Sequence, residues 1–383
     1  MKKKYNPCPV YYTTKDIRFG EVPIGQEGGC AKPLRGNLYK AEHRLTSFHG
    51  VAEITDPETG EVREEKCTVK SAKGFGDSIE LAELALSHWR RLGFRGSPAS
   101  AASFTREMFI KLKREKVIQS RCKASANNML RNFFTGGWIE STTRGYVFDP
   151  IYHYDINKAY LYAAKAGLPS RLYPYTPGSN PLGFVAVMKV TSPTNKLPNF
   201  FRKYEDDIGM LVTSEEIEEY GIKGKILWGV QYYDLDVNLE HVISSLESLP
   251  HKLWKRCTQS YWGMFASYSG IDIENFNTGE ERKLWNRNQN ITWASLIVRR
   301  VALEVYKAMR ECDGVSCFVD SVLTTKPLPD SKVGDSVGQW KLEGFYDKGI
   351  LIDAAGVWHP LPFRKKSDIT NKRRWKKHAG TFN

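Results

Sequence analysis

A single carboxylate joins a strand-like run to a helix-like run in the stretch Tyr152-His153-Tyr154-Asp155-Ile156-Asn157-Lys158-Ala159-Tyr160-Leu161-Tyr162. The aromatic residues before Asp155 favour a strand, and the residues after it favour a helix. A carboxylate at the end of a buried strand is costly unless it binds a cation or accepts hydrogen bonds. Asp155 and the carbonyl of Ile156 suit Mg²⁺, because that ion prefers oxygen ligands. Such a site needs a second carboxylate from elsewhere in the chain.

The chain supplies that second carboxylate nearer its C-terminus, with a cationic helix between the two. Residues 317–325 comprise a short apolar strand, an acid and a serine, and a β-branched strand, and this pattern predicts a hairpin with Asp320 at its tip. Between the acids, Lys252, Lys255 and Arg256 follow helical i, i+3, i+4 spacing and therefore share one face. Phosphoryl transfer from a triphosphate requires two acids for two metal ions and a cationic surface.

These residues occur in the order of a known set of motifs. Along the chain they are Asp155-x-Asn157-x-x-Tyr160, Lys255-x-x-x-Gln259-Ser260-x-Trp262-Gly263 and Asp320-Ser321. The order resembles motifs A, B and C of the B-family DNA polymerases and is most similar to the protein-primed phage and plasmid branch. That branch has a Tyr-x-Gly-Gly motif upstream of motif A, and Phe134-Thr135-Gly136-Gly137, preceded by Arg131, stands in its place. The resemblance covers residues 97–358.

The resemblance implies a DNA-directed DNA polymerase that adds dNTPs to the 3′-hydroxyl of a DNA primer-template in phage, plasmid or mobile-element replication. Two Mg²⁺ ions, with Mn²⁺ as the alternative, would be held by Asp155, the Ile156 carbonyl and Asp320. The residues implied in nucleotide binding are Tyr160, whose ring excludes a 2′-hydroxyl, and Lys252, Lys255, Arg256 and Gln259. Those implied in nucleic-acid binding are Arg131, Phe134, Gly136, Gly137, Trp262, Gly263, Ser321 and Lys341. A priming terminal protein is a further implied partner.

The implied fold class is α+β, as a right-hand polymerase with an antiparallel palm sheet, short fingers, a small thumb and a small N-terminal α/β region. The expected domains are an N-terminal region over 1–96, the start of the polymerase core and palm with motif A over 97–236, fingers with motif B over 237–267, palm with motif C over 268–345, and a thumb-like region with a basic tail over 346–383. Periodicity predicts helices over 251–267 and 290–311, and an irregular segment over 268–285.

Residues 51–69 predict a hairpin whose turn is Asp56-Pro57-Glu58-Thr59-Gly60. Asp56-x-Glu58-Thr59 also mimics the first motif of the proofreading exonuclease found in most relatives. Proline and glycine at these positions are typical of turns, so the hairpin is the favoured interpretation. The exonuclease needs further acids on a domain larger than the space before residue 97 offers, and we therefore expect no proofreading.

Three features depart from the family pattern. Phe318 stands where motif C usually has its first aspartate, residues 234–250 contain no lysine or arginine, and Gly356-Val357-Trp358 replaces the Lys-x-Tyr that grips the primer. In relatives the segment equivalent to 234–250 usually supplies a cation for the triphosphate. Two alternatives therefore stay open: a nucleic-acid-binding accessory protein with a degenerate polymerase fold, and an untemplated or primase-like nucleotidyltransferase.

Composition narrows the partners and the compartment. The 383 residues carry a formal net charge of +13, which favours a polyanionic partner, nucleic acid first. The seven cysteines include no Cys-x-x-Cys pair, so we expect neither a zinc site nor a disulfide framework. The absence of a disulfide framework in turn predicts a reducing compartment. No apolar run follows Met1-Lys2-Lys3-Lys4 and none is long enough for a membrane span, which predicts a cytoplasmic protein of a bacterial host. The basic tail over 364–377 suits duplex phosphates, with a solvated tail as the alternative.

Overall fold

The computed structural model describes most of the chain and divides it into two compact units. The first unit is residues 1–119 with 239–290, and the second is residues 120–238 with 291–383. The described residues are 8–17, 21–25, 29–41, 46–98, 100–114, 129–191, 198, 209–260, 262–266, 271–275, 278–284, 290–354 and 356–361. The basic tail over 364–377 lies outside them. Within this described part, no helix combines the length and the apolar character needed to cross a bilayer.

Strands and helices are interspersed along the chain. The strands are β1 (Val10–Thr13), β2 (Val22–Ile24), β3 (Gly29–Ala41), β4 (Thr46–Thr55), β5 (Val62–Ser71), β6 (Ile139–Ser141), β7 (Gly145–Val147), β8 (Ile151–Ile156), β9 (Tyr173–Pro174), β10 (Gly183–Val190), β11 (Met210–Thr213), β12 (Gly224–Tyr232), β13 (Ile271–Asn275), β14 (Glu281–Leu284), β15 (Gly314–Phe318), β16 (Ser321–Thr324), β17 (Trp340–Tyr346), β18 (Ile350–Ile352) and β19 (Trp358–Pro360). The α-helices are α1 (Ile79–Arg91), α2 (Ala101–Arg114), α3 (Ala159–Lys165), α4 (Ser214–Tyr220), α5 (Glu240–Glu247), α6 (His251–Ser260), α7 (Gly263–Ala266) and α8 (Ile291–Glu311). The predicted mixed α+β class is confirmed.

The first unit is built on one large sheet with the strand order β1-β5-β4-β3-β13-β14, and β2 pairs with β3. Only β1 and β5 pair in parallel among the described strands. Asp56 builds the turn between β4 and β5, because its Oδ1 accepts hydrogen bonds from the N–H groups of Glu58 (3.0 Å) and Thr59 (2.9 Å). The predicted hairpin is therefore confirmed, and this acid serves the turn.

One prediction for the first unit is wrong. The segment over 268–285, expected to be irregular, contains the β13–β14 hairpin. β13 pairs antiparallel with β3, from Ile271 opposite Ala41 to Asn275 opposite Asn37. The sequence of β13 alternates apolar and polar residues, which is strand periodicity. A run of this length becomes a stable strand only with a partner, and that partner lies far away in the sequence.

The described residues of the second unit form three antiparallel sheets and a long buried helix. The sheet orders are β17-β8-β16-β15-β6, β11-β10-β12-β9 and β19-β18-β7. The helix predicted over 290–311 is confirmed as α8, which packs against β15 and β16. Its indole Trp293 Nε1 donates to the carbonyl of Pro169 at 2.9 Å. The predicted helix therefore supports the five-stranded sheet to which the interior strand β8 belongs.

Two adjacent arginines of α8 form ion pairs with α4. Arg299 Nη1 lies 3.4 Å from Glu216 Oε1, and Arg300 Nη2 lies 2.8 Å from Glu215 Oε1. The Arg299 and Glu216 side chains are 3% and 0% exposed. Glu216 also completes a capping box with Thr213 at the start of α4. Because a buried charge is stable only when it is paired, these contacts hold α4 firmly against α8.

Candidate functional site

The two predicted acids meet where two paired strands end. β16 pairs antiparallel with β8, with Ser321 opposite Asp155. One residue further on, the N–H of Ile156 donates to the carbonyl of Asp320 at 2.9 Å. The predicted β15–β16 hairpin is confirmed, and Asp320 lies in its turn. The sheet therefore brings Asp155, Ile156 and Asp320 to one place, although motif A and motif C are far apart in the sequence.

Asp155 belongs to a row of residues that crosses the whole five-stranded sheet. From β6 to β17 the row is Ile139, Phe318, Ser321, Asp155 and Lys341, each directly opposite the next. Directly opposed residues of antiparallel strands place their side chains on the same face. The Ile139 and Phe318 side chains, at one end of the row, are 50% and 62% exposed. The row is therefore apolar at one end and charged at the other.

Lys341 supplies a cation beside Asp155. Its Nζ donates to Glu343 Oε1 at 2.8 Å, and this hydrogen bond is the main cause that raises the Lys341 pKa. Asp155 lies directly opposite Lys341 in the sheet, and its charge raises the Lys341 pKa to a smaller extent. The lysine was predicted to contact nucleic acid, and its exposure leaves its ammonium accessible from solvent.

Asp320 and Tyr160 share a partly buried environment. Burial raises the pKa of the Asp320 carboxyl. Burial and, second, the charge of Asp320 raise the pKa of the Tyr160 hydroxyl. Tyr160, the last residue of motif A, lies in the first turn of α3. A desolvated carboxylate is favoured by a cation beside it, so the environment of Asp320 fits a bound metal ion.

The turn that carries Asp320 has an uncommon backbone. Asp320 N–H donates to the carbonyl of Phe318 at 2.9 Å, and Val319 between them has φ of +62°. This is a γ-turn with a positive central φ, a rare and strained form. A β-branched residue is a marked outlier in that region of φ. The N–H of Val319 donates to the carbonyl of Trp138 at 2.7 Å, which ties the turn to the chain entering β6.

The two glycines of the Phe134-Thr135-Gly136-Gly137 motif differ in their surroundings. A Cβ built on Gly136 would meet nothing within 4 Å, whereas one on Gly137 would lie 2.7 Å from Cγ1 of Val319. Thr135 Oγ1 accepts a hydrogen bond from Arg299 Nη2 at 2.8 Å. Gly137 is therefore packed closely against Val319. The nucleic-acid contacts of this motif and of Arg131 stay predictions.

No protein-family model matches the sequence, and no curated protein matches it. Solved structures do match the three-dimensional arrangement. The fold is similar to that of phi29 DNA polymerase. The complex of that enzyme with single-stranded DNA matches with a TM-score of 0.56 and 13% identity, over 78% of this chain and 68% of that chain. The complex with primer-template DNA gives 0.53 over the same shares, also at 13% identity. The orthorhombic crystal form gives 0.52 and 13% identity, over 81% of this chain and 70% of that chain.

The predicted cationic helix is α6, in the first unit. Lys252, Lys255 and Arg256 are all exposed, while Leu253 and Cys257 on the same helix are buried. The shared cationic face predicted from the spacing is therefore confirmed. The side chain of motif B glutamine 259 lies outside the described residues. The roles of these cations in binding a nucleotide stay predictions.

The motif B helix is shorter than predicted. The helix expected over 251–267 ends at Ser260, and Gly263–Ala266 forms the separate short helix α7. Trp262 and Gly263 lie at the start of this second helix, and both are half-buried. The glycine disfavours a continuous helix, which accounts for the break.

The acids at this site, Asp155 and Asp320, form a pair and not a larger group of ligands. No group of three or more His, Cys, Asp or Glu side chains among them is arranged to hold a metal ion. Mg²⁺ does not require such a group, because it is commonly bound by one or two carboxylates together with water and substrate phosphates.

The sequence patterns predicted the two acids, but they did not predict the conformation of Val319 or the contact between Thr135 and Arg299. A signal for Val319 was its place between the last strand residue and the acid of a two-residue hairpin loop, where φ is often positive.

Proposed function

We propose that this protein is a DNA-directed DNA polymerase that adds deoxynucleotides to a primer 3′-hydroxyl, without proofreading, in the replication of a phage, plasmid or other mobile element. The observation that carries the proposal is the pairing of β8 with β16, which places Asp155 opposite Ser321 and Ile156 in hydrogen-bond contact with Asp320. The similarity of fold to a DNA polymerase supports it.

In this proposal Asp155, Asp320 and the carbonyl of Ile156 hold two Mg²⁺ ions, with Mn²⁺ as the alternative. Bound there, the ions would favour ionisation of the primer hydroxyl and neutralise charge on the transferred and leaving phosphates. The partly buried setting of Asp320 supports this assignment, because a desolvated carboxylate gains most from a nearby cation.

Other residues would bind and select the substrates. Tyr160, whose hydroxyl pKa is raised by burial and, second, by the charge of Asp320, would exclude a ribose 2′-hydroxyl. Lys341 and Ser321, which flank Asp155 on the sheet, would contact the primer-template. The exposed cations of α6 would bind the triphosphate, with Lys255 as the main group.

In the terms of a right hand, the five-stranded sheet would be the palm, α5 and α6 the fingers, and residues from 346 onward the thumb. A terminal protein would be the candidate primer, and the host cytoplasm the location.

A second candidate function is nucleic-acid binding without catalysis. Phe318 favours it, because this exposed apolar side chain lies in the same row as Asp155, separated from it by Ser321, at a position where relatives have an acid. Aromatic side chains can support binding of nucleic acid by stacking. The two candidates make different predictions for primer extension and the same prediction for DNA binding.

The deciding experiment is extension of a labelled primer-template by a single dNTP, with Mg²⁺ or Mn²⁺, for the wild type and for Asp155→Asn and Asp320→Asn. Each variant should lose extension and keep its affinity for primer-template. The matched control is Asp313→Asn, because Asp313 lies on the same hairpin at the end away from the site and is 59% exposed. Extension retained by either acid variant contradicts the proposal. DNA binding without extension by the wild type selects the second candidate, and extension of single-stranded ends alone indicates an untemplated transferase.

A further inference from the structure

The turn that carries Asp320 is hydrogen-bonded to the chain segments on either side of the β15–β16 hairpin. On one side the N–H of Val319 donates to the carbonyl of Trp138, and on the other the carbonyl of Asp320 accepts from the N–H of Ile156. These bonds, at 2.7 and 2.9 Å, fix the backbone at the N–H of Val319, one residue before Asp320, and at the carbonyl of Asp320 itself. The position of the Asp320 carboxylate therefore depends on the hydrogen bonds that join the turn to Trp138 and Ile156.

The conformation of this turn requires support from its surroundings. Val319 has φ of +62° and a branched Cβ, a strained combination that persists only where neighbouring structure enforces it. Gly137 is the neighbour that makes room. A Cβ on Gly137 would lie 2.7 Å from Cγ1 of Val319 and 3.2 Å from both its Cβ and its Cγ2. Separations this short cannot be accommodated by rotating a stiff β-branched side chain.

The glycine loop is itself anchored and cannot easily yield. Thr135 accepts a hydrogen bond from Arg299, whose guanidinium is buried against Glu216. On the other side of the glycines, Trp138 is buried and its Nε1 donates to Glu140 Oε2 at 2.9 Å. A side chain added at Gly137 would therefore displace the Val319 turn rather than the loop.

We propose that Gly137 is a positioning residue for Asp320. Because Gly137 has no side chain, it leaves space for Val319, and the conformation of Val319 in turn places Asp320 next to the end of β8. The proposal rests on the proposed function for its catalytic meaning, but the contact it describes is a property of the fold. It gives the Gly-Gly motif a role inside the protein, separate from any contact that Gly136 makes with nucleic acid.

The first test compares amide hydrogen exchange in Gly137→Ala and Gly136→Ala, read by mass spectrometry in peptides that cover residues 317–322 and 151–157. Gly137→Ala should speed exchange at Val319 and Ile156, because their hydrogen bonds hold the turn. Gly136→Ala should leave exchange in both peptides unchanged, because a Cβ there meets nothing within 4 Å. Unchanged exchange in Gly137→Ala overturns the proposal.

The second test is rescue of primer extension. Gly137→Ala should lower the single-turnover rate about 100-fold, which is the scale for a catalytic group misplaced by about 1 Å, and leave primer-template affinity unchanged. Val319→Gly in the same chain removes the colliding methyl groups and adopts the positive φ without strain, so the double variant should recover most of the loss. A rate loss that Val319→Gly does not rescue, accompanied by weaker DNA binding, overturns the proposal in favour of direct nucleic-acid contact.

These two tests separate the proposal from the proposed function. If the wild type does not extend primers, the proposed function fails, and the exchange measurements still decide whether Gly137 seats the turn. If the wild type extends primers and Gly137→Ala extends them equally fast, the proposed function stands and the positioning role fails.

Discussion

The buried pair of Arg299 and Glu216 offers the sharpest prediction about stability. Arg299 donates to Thr135 Oγ1 at 2.8 Å and to the carbonyl of Leu211 at 3.4 Å, in addition to pairing with Glu216. Arg299→Met replaces the guanidinium with an apolar side chain that fills part of its volume. The variant therefore leaves Glu216, which is 0% exposed, without its cation.

The expected loss follows from this burial. Breaking a buried ion pair by removing one partner costs about 3–5 kcal/mol, because the remaining charge is desolvated and uncompensated. Glu216 keeps two contacts with Thr213, from its N–H at 3.0 Å and from its hydroxyl at 3.4 Å. These contacts offset part of the loss, so we expect the lower end of the range, about 3 kcal/mol.

Urea unfolding followed by tryptophan fluorescence, with linear extrapolation to water, measures this free energy. The matched control is Lys307→Met on the same helix, because Lys307 pairs with Glu219 and Glu304 at partly exposed positions. A pair of that kind contributes about 1 kcal/mol or less. The double variant Arg299→Met/Glu216→Met removes both charges, and it should be more stable than Arg299→Met alone.

Two results would refute this reasoning. The first is a loss of less than about 1 kcal/mol in Arg299→Met, since that value is typical of an exposed pair. The second is a double variant whose loss equals the sum of the losses measured for the single variants Arg299→Met and Glu216→Met, because additivity means that the two residues do not interact.

Three further predictions concern selectivity, DNA binding and pH. Tyr160→Val should raise incorporation of ribonucleotides relative to deoxynucleotides by about tenfold or more in single-nucleotide extension, and an unchanged ratio would remove its assigned role. Lys341→Met should weaken primer-template binding and lower the slope of log affinity against log salt by about 1, whereas Lys326→Met, remote on the hairpin, should leave the slope unchanged. Burial lowers the pKa of Lys70 to about 8 from the ordinary 10.5. The unfolded chain therefore binds this proton more tightly, so stability should rise with pH between about 8 and 10.5, and urea unfolding of Lys70→Met should lack that rise.

Local patterns allowed much of the fold to be predicted. The turn at Asp56, the hairpin around Asp320 and the helix over 290–311 each depend on a few consecutive residues, and all three are confirmed. The capping box of Thr213 and Glu216 at the start of α4 is another feature that depends on a few consecutive residues. In these places the residue types, turn chemistry and periodicity indicate one structure.

The features that could not be predicted depend on contacts between distant residues. The pairing of β13 with β3, the position of Lys341 opposite Asp155 and the contact of Gly137 with Val319 all join segments far apart in sequence. The backbone conformation of Val319 also opposes the intrinsic preference of valine, because a β-branched residue rarely adopts a positive φ. The two-residue hairpin loop favours a positive φ at this position, but the surrounding sheet and the glycine loop are needed for a β-branched residue to adopt it.

The central claim is that one metal site is shared by Asp155 and Asp320. Cleavage of the chain by Fe²⁺ with ascorbate and hydrogen peroxide tests it directly, because radicals formed at a bound ion cut the backbone beside it. The account predicts two cuts, one near residue 155 and one near residue 320, both suppressed by excess Mg²⁺ and both lost in Asp155→Asn and in Asp320→Asn. Cleavage near only one of the two acids, or cleavage that survives in either variant, would contradict a shared site.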